Sequence, residues 1–214
     1  MAAIGAFFSG QVNRVKDVAS QQQALARRQS ASGQDFPGSG HRPADRRTWM
    51  AELGPERLRV HQVVWPGTHN SATAEIGVPF VTRPFAQCQS LSVYDQLATG
   101  CRLLDVRVQK DRRVCHGPLV ASYTVDVVID DVRRFLSETA AEVLVLEVRT
   151  ETDNPVLLVE PVTRRIHRFA RFFIAQAFAR GLGGKLQVFS TDFIDGDFVD
   201  ACAGVTKARV DGTA

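Results

Sequence analysis

The chain has 214 residues, 44% of them hydrophobic, with a formal net charge of +3. That is enough for one globular domain with a sizeable core. No apolar run approaches the roughly 20 residues a membrane-spanning helix needs, and no nucleic-acid partner is expected. Ala2 excludes N-myristoylation as the sequence stands, and the first residues lack the basic stretch of a secretory signal. Cys88, Cys101, Cys115 and Cys202 show no C-x-x-C spacing, which argues against a zinc or redox motif. Cys101 and Cys115 lie in apolar runs and read as small buried hydrophobes in a reduced, cytoplasmic setting.

Residues 1–58 read as a basic, largely disordered extension. Gln21-Gln22-Gln23, Ser30-Ala31-Ser32-Gly33 and Pro37-Gly38-Ser39-Gly40 are polar and turn-rich, and the excess of Lys and Arg is concentrated there. A basic helix over Val12 to Arg28 offers a contact for anionic lipid, although a solvated tail is the preferred reading. From Val60 the pattern becomes α/β. A strand is expected over 60–65, ending at Pro66-Gly67 with His69 exposed beyond it. Strands follow at 102–108 and 113–115, the first carrying Asp105 and Arg107 and the second leading into His116-Gly117.

Val125, Val128, Ile129, Val132, Phe135 and Leu136 make the stripe of a helix over 125–138. Val143 to Leu146 is a continuous apolar run, as in a parallel strand buried on both faces, placed at 142–148. A long helix is expected over 156–180, with Val162, Ile166, Phe169, Phe173, Ala177 and Phe178 on its apolar face. Arg164, Arg168 and Arg171 lie on the other, solvated face. Gly181-Leu182-Gly183-Gly184-Lys185 is no phosphate loop, because it follows a helix and no Ser or Thr follows the Lys. A strand at 185–190 and a helix at 195–208 complete the series.

Three ordered motifs, PGTHNSAT from Pro66, RLLDVRV from Arg102 and VCHGPL from Val114, resemble the X domain of phosphatidylinositol-specific phospholipase C. The wider group is the PLC-like phosphodiesterases. The resemblance implies a PLC-like TIM (β/α) barrel over residues 59–214 and a phosphoric diester hydrolase acting on inositol phospholipid at a membrane surface. In that family the inositol 2-hydroxyl attacks the neighbouring phosphorus, giving a cyclic inositol phosphate and diacylglycerol.

Carried over residue by residue, His69 is the general base, His116 the general acid and Arg107 the cation for the phosphoryl oxygens. Asp105 orients His116, and Asp192 fixes the tautomer of His69. Asn70 and Arg107 contact substrate. Bacterial members, which need no metal, carry Asp where this chain has Asn70. Calcium-dependent members place oxygen ligands at positions matching Asn70, Asp105, Arg107 and Glu147. A guanidinium at a ligand position repels Ca²⁺, so metal independence is the preferred expectation and a Ca²⁺ site at Asn70, Asp105 and Glu147 the alternative. For Glu147, an ion pair with Arg107 or Arg149 is at least as good a reading.

Length sets the resemblance's limit. A full (β/α)₈ barrel takes about 250 residues, and the segment between Glu147 and Asp192 is far shorter than the family's. The barrel is therefore expected to be incomplete, with βα units missing near residues 150–154. Strand 185–190 should then pair with strand 60–65, and strand 142–148 should lack a neighbour on its far side. An inactive PLC-like remnant or splice form that binds lipid or protein is the rival reading. A glycerophosphodiester phosphodiesterase fits less well, because that family relies on a Glu-rich metal site.

Overall fold

The computed structural model describes residues 20, 21, 23–27, 36–151 and 169–214. Four parallel strands make a curled, open half-barrel: β1 (Trp65–Thr68), β2 (Leu103–Val108), β5 (Val145–Thr150) and β6 (Val188–Thr191), in the order β5-β2-β1-β6. A hairpin of β3 (Arg113–His116) and β4 (Leu119–Thr124) continues the end of β2 through Val108 opposite Val114. The expected pairing of the last strand with the first is present, with Trp65 opposite Val188 and Thr68 opposite Thr191.

The first strand starts later than expected. Residues 60–62 form a 3-10 turn, and β1 runs through Pro66-Gly67 rather than ending there. Gly67 is required by crowding. A Cβ there would lie 2.5 Å from Ser190 Oγ and 3.1 Å from Leu103 Cδ2, side chains of the two flanking strands. The glycine that reads as a strand terminator is thus the position where two neighbours close on the backbone.

Residues 20, 21 and 23–27 are helical, and six helices with both ends described accompany the strands: α1 (Trp49–Glu52), α2 (Arg83–Ala86), α3 (Val93–Thr99), α4 (Val125–Glu138), α5 (Ala170–Ala179) and α6 (Gly196–Val210). The α4 bounds match the sequence stripe, and Val125, Val128 and Phe135 are its buried residues. Helix α6 starts at Asp195, whose side chain accepts from Phe198 N at 2.9 Å, a standard N-cap. It then buries Phe198, Val199, Ala201, Cys202 and Val205 in the main core.

Three sequence expectations are corrected. Residues 36–58, assigned to the extension, are packed: Phe36, Trp49, Met50 and Leu53 are buried. Phe36 stacks on Phe178, Trp49 Nε1 donates to Gly100 O at 3.1 Å, and Arg46 holds Asp200 through two bonds. Two aromatic rings and a methionine outweigh the turn-rich composition around them. The helix expected at Val12 to Arg28 lies mostly outside the described residues.

The strand at 145–150 is exposed along its whole length. Its apolar run is that of a strand buried on both faces, but burial needs cover. Among the described residues β5 pairs only with β2, which leaves the open edge expected of a shortened barrel.

Most of the long helix 156–180 lies outside the described residues. In its visible part the inward side chains are Ala170, Phe172, Ile174 and Ala175, with Phe173 turned out. Arg171 is not on a solvated face: it lies over the Phe36 ring and pairs with Asp197 at 3.3 Å. No helix of the described residues is long and apolar enough to cross a membrane.

Candidate active site

The loop after β1 is stitched to β2 before any candidate side chain is placed. Ser71 N donates to Asp105 O at 2.7 Å, and Asp105 N donates back to Ser71 Oγ at 2.9 Å. Asn70 sits at φ 46°, a left-handed conformation that Asn tolerates better than most residues. His69 N donates to Thr191 O at 3.1 Å. Gln89, fully buried, reinforces that joint by donating to both His69 O (3.1 Å) and Thr191 O (2.8 Å). His69 is thereby fixed at the junction of β1 and β6, at the C-terminal ends of the parallel strands.

The hydrogen bonds of His69 define its tautomer. Nε2 lies 2.9 Å from Arg107 Nη2 and 3.2 Å from Asn70 Nδ2. A guanidinium can only donate, so Nε2 is the acceptor. The ring proton then sits on Nδ1, which donates to Asp192 Oδ1 at 2.8 Å. A carboxylate behind an imidazole whose other nitrogen is an acceptor is the arrangement a general base requires, and Arg107 and Asn70 occupy that acceptor here. His116, ending β3, lies across from it with ring centroids 6.2 Å apart and planes at 87°. Its Nδ1 donates to Ala86 O at 2.8 Å, which leaves Nε2 as its second functional nitrogen.

Arg107 joins the groups. Nη2 reaches His69 and Asp105 Oδ2 (3.3 Å), and Nη1 reaches Glu151 Oε1 (3.1 Å). The adjacent Asp105 and Glu151 charges outweigh burial and raise the guanidinium above its ordinary value. At Asp105, burial pushes the carboxyl up, but the Arg149 hydrogen bond, the Arg107 charge and the Asn70 amide more than offset it. Asp105 therefore lies below the usual carboxylate range.

Asp105 does not hold His116, contrary to the role carried over from the family. Its partners are Arg107, Arg149 (2.9 Å) and Asn70 N (3.3 Å), while the Ala86 carbonyl orients His116. Glu151, which the sequence reading missed, links the two halves: Oε1 takes Arg107 and Oε2 takes Gly117 N at 3.2 Å. Strand alternation contained the signal, since residues 147, 149 and 151 share one face and β5 lies in register with β2 from Leu103 opposite Val145 onward. Gln89 carried no comparable signal.

The acids do not suit Ca²⁺. Glu147 is half-exposed and paired with Arg149 at 3.3 Å. Asp105 is already shared between Arg149 and Arg107. Two guanidiniums thus occupy the oxygens a hard cation would need, although Asn70 Oδ1 is buried without a partner. The residues present do not fit that ion.

Two histidines, an arginine and several carboxylates thus gather at the C-terminal strand ends of a parallel half-barrel, the rim on which barrel enzymes place their active sites. Residues 64–158 match the family model "Phosphatidylinositol-specific phospholipase C, X domain". That segment is similar to the family's X domain, and the chain spans a third or less of the length of the curated relatives it matches.

It is 27% identical over 107 residues to the 1-phosphatidylinositol phosphodiesterase of Listeria monocytogenes, covering 50% of this chain and 33% of that protein. Against a PI-PLC X-box domain-containing protein of Dictyostelium discoideum it is 30% identical over 121 residues, covering 47% and 16%. The solved phosphatidylinositol-specific phospholipase C of L. monocytogenes aligns with a TM-score of 0.48 at 24% identity, over 61% of this chain and 46% of that one. A Staphylococcus aureus enzyme of the same name aligns with a TM-score of 0.46 at 20% identity, over 58% and 42%.

Proposed function

We propose that this chain carries the catalytic part of a phosphoric diester hydrolase that cleaves inositol phospholipid at a membrane surface. The observation that carries the reading is His69, its Nδ1 bonded to Asp192, facing His116 with Arg107 between carboxylates beside it. In the proposed reaction His69 Nε2 takes the proton of the inositol 2-hydroxyl as that oxygen attacks phosphorus. His116 gives a proton to the diacylglycerol oxygen as the P–O bond breaks. Arg107 turns from His69 to the phosphoryl oxygens and supplies positive charge through its planar fork, so the reading needs no metal.

Membrane access is supported by the loop leading to His116's partner Ala86. Val78, Phe80 and Val81 are exposed there, Phe80 at 98%, a cost in water that a lipid interface removes. The test is phosphatidylinositol cleavage with His69→Ala and His116→Ala, each expected to lose about 10²–10⁴-fold in kcat; near-normal turnover in either removes the acid–base assignment. The open β5 edge favours a second reading, an inactive remnant that binds lipid or protein. Assaying this chain beside one with βα units restored after Thr150 separates the two: cleavage by the longer chain alone supports the remnant reading.

A further inference from the structure

Beside His69 three different donor types converge. His69, Cys88 and Asp192 each present one ligand atom, and these atoms all lie within 4.8 Å of one another. Since His69 Nε2 is taken by Arg107 and Asn70, the nitrogen that shares this space with Asp192 is Nδ1. A fourth polar group abuts the cluster. The Asn70 amide lies 3.6 Å from Cys88 Sγ, while its buried Oδ1 has no partner. A half-turn of that amide, whose two ends are interchangeable in shape, sets the orphaned oxygen beside both the thiol and His69 Nε2, where it can accept once the ring proton has moved to that nitrogen.

We propose that His69, Cys88 and Asp192 form a binding site for a thiophilic divalent ion of the zinc class, with the Asn70 oxygen or water completing a tetrahedron. Zinc takes sulfur at about 2.3 Å and nitrogen or oxygen at about 2.0–2.2 Å. Ligand atoms around it are therefore about 3.3–3.7 Å apart, and the cluster needs to adjust by only about 1 Å. Binding displaces a proton from His69 Nδ1 and one from the Cys88 thiol. Only the thiol proton goes to water: the His69 proton moves from Nδ1 to Nε2, from which Arg107 turns away, and no electrons move. Burial raises the Cys88 thiol well above its ordinary value, so a hard ion such as Ca²⁺ gains nothing there, whereas a thiophilic ion is repaid by its bond to sulfur. The ligands come from three separate segments, which is why cysteine spacing along the chain gives no sign of them.

The proposal concerns binding and is tested without substrate. Co²⁺ is titrated into the full chain. One equivalent is expected to give the thiolate-to-cobalt charge-transfer band in the near ultraviolet and the visible bands of a tetrahedral ion, both abolished by one equivalent of Zn²⁺ and unaffected by Ca²⁺. Cys88→Ser is expected to remove the charge-transfer band. Asp192→Asn, a partly exposed position that keeps its shape, is expected to lower Zn²⁺ affinity at least about tenfold while far-ultraviolet circular dichroism stays unchanged. No saturable binding, a charge-transfer band that persists in Cys88→Ser, or unaltered affinity in Asp192→Asn would each overturn the assignment.

Discussion

The sharpest prediction for this fold concerns Glu142. Its carboxylate and the Arg102 guanidinium are both fully buried, 2.6 Å apart at the closest approach. Every remaining donor of Arg102 is occupied as well: Nη1 by Leu97 O and Cys101 O, Nη2 by Arg46 O and Arg47 O, with the Phe135 ring centroid 5.0 Å from the guanidinium carbon. Glu142→Gln keeps the shape, and its amide oxygen can still accept from Ala51 N, which now bonds Oε1 at 3.0 Å. It leaves a cation in the interior with only neutral carbonyls around it. Removing one member of such a pair costs about 3–5 kcal/mol, a large share of the roughly 5–15 kcal/mol by which domains are stable. Urea unfolding of both proteins, followed by circular dichroism and tryptophan fluorescence, measures it: the midpoint should fall sharply at unchanged slope. A loss below about 1 kcal/mol would show that Arg102 is held by its carbonyls alone and refute the argument.

Arg107→Lys should lower phosphatidylinositol cleavage about 10²–10³-fold, since an ammonium cannot reach His69, Asp105 and Glu151 in one plane, and wild-type activity should survive EDTA. Chelation that abolishes activity, with recovery in Ca²⁺, would reverse that expectation. Phe80→Ser should weaken binding to phosphatidylinositol vesicles about tenfold or more, from the ~1.5–3 kcal/mol of burying a phenylalanine; sedimentation with vesicles checks it, and unchanged binding removes the loop from the interface. Asp105 is held below its ordinary value of 3.8, so its stabilising share is complete above about pH 4 and is lost as pH falls through the folded value. Acid unfolding of Asp105→Asn should accordingly be flatter over that window, and a parallel curve would contradict the assignment.

What the sequence disclosed depended on whether the signal was local. Helix α4 was legible to its ends because most of its apolar stripe, all but the exposed Leu136, is its core face. The three motif segments were legible as strand ends, and so was the arrival of Asp192 at His69, since it follows from pairing the last strand with the first. Pro66-Gly67 misled because a glycine needed for close approach resembles one that ends a strand. Gly117-Pro118 hid β4 in the same way. Residues 36–58 misled because a few buried rings, Trp49 above all, decide packing against a polar composition. Glu151 was passed over at a point read as a break in the chain, although its parity with Arg149, the residue opposite Arg107, already placed it on the Arg107 face.

The bond between His69 and Asp192 spans 123 positions, whereas Arg107 reaches Glu151 across 44 and Asp105 across two. Closing the longer loop is entropically dearer, and contacts so distant in sequence slow folding. During refolding the proton on His69 acquires its fixed position only when β6 docks on β1, the step that depends on the most distant contacts in the site. A clock is thereby built into the molecule: secondary structure and the arginine–carboxylate cluster should recover first, and a correctly poised imidazole last.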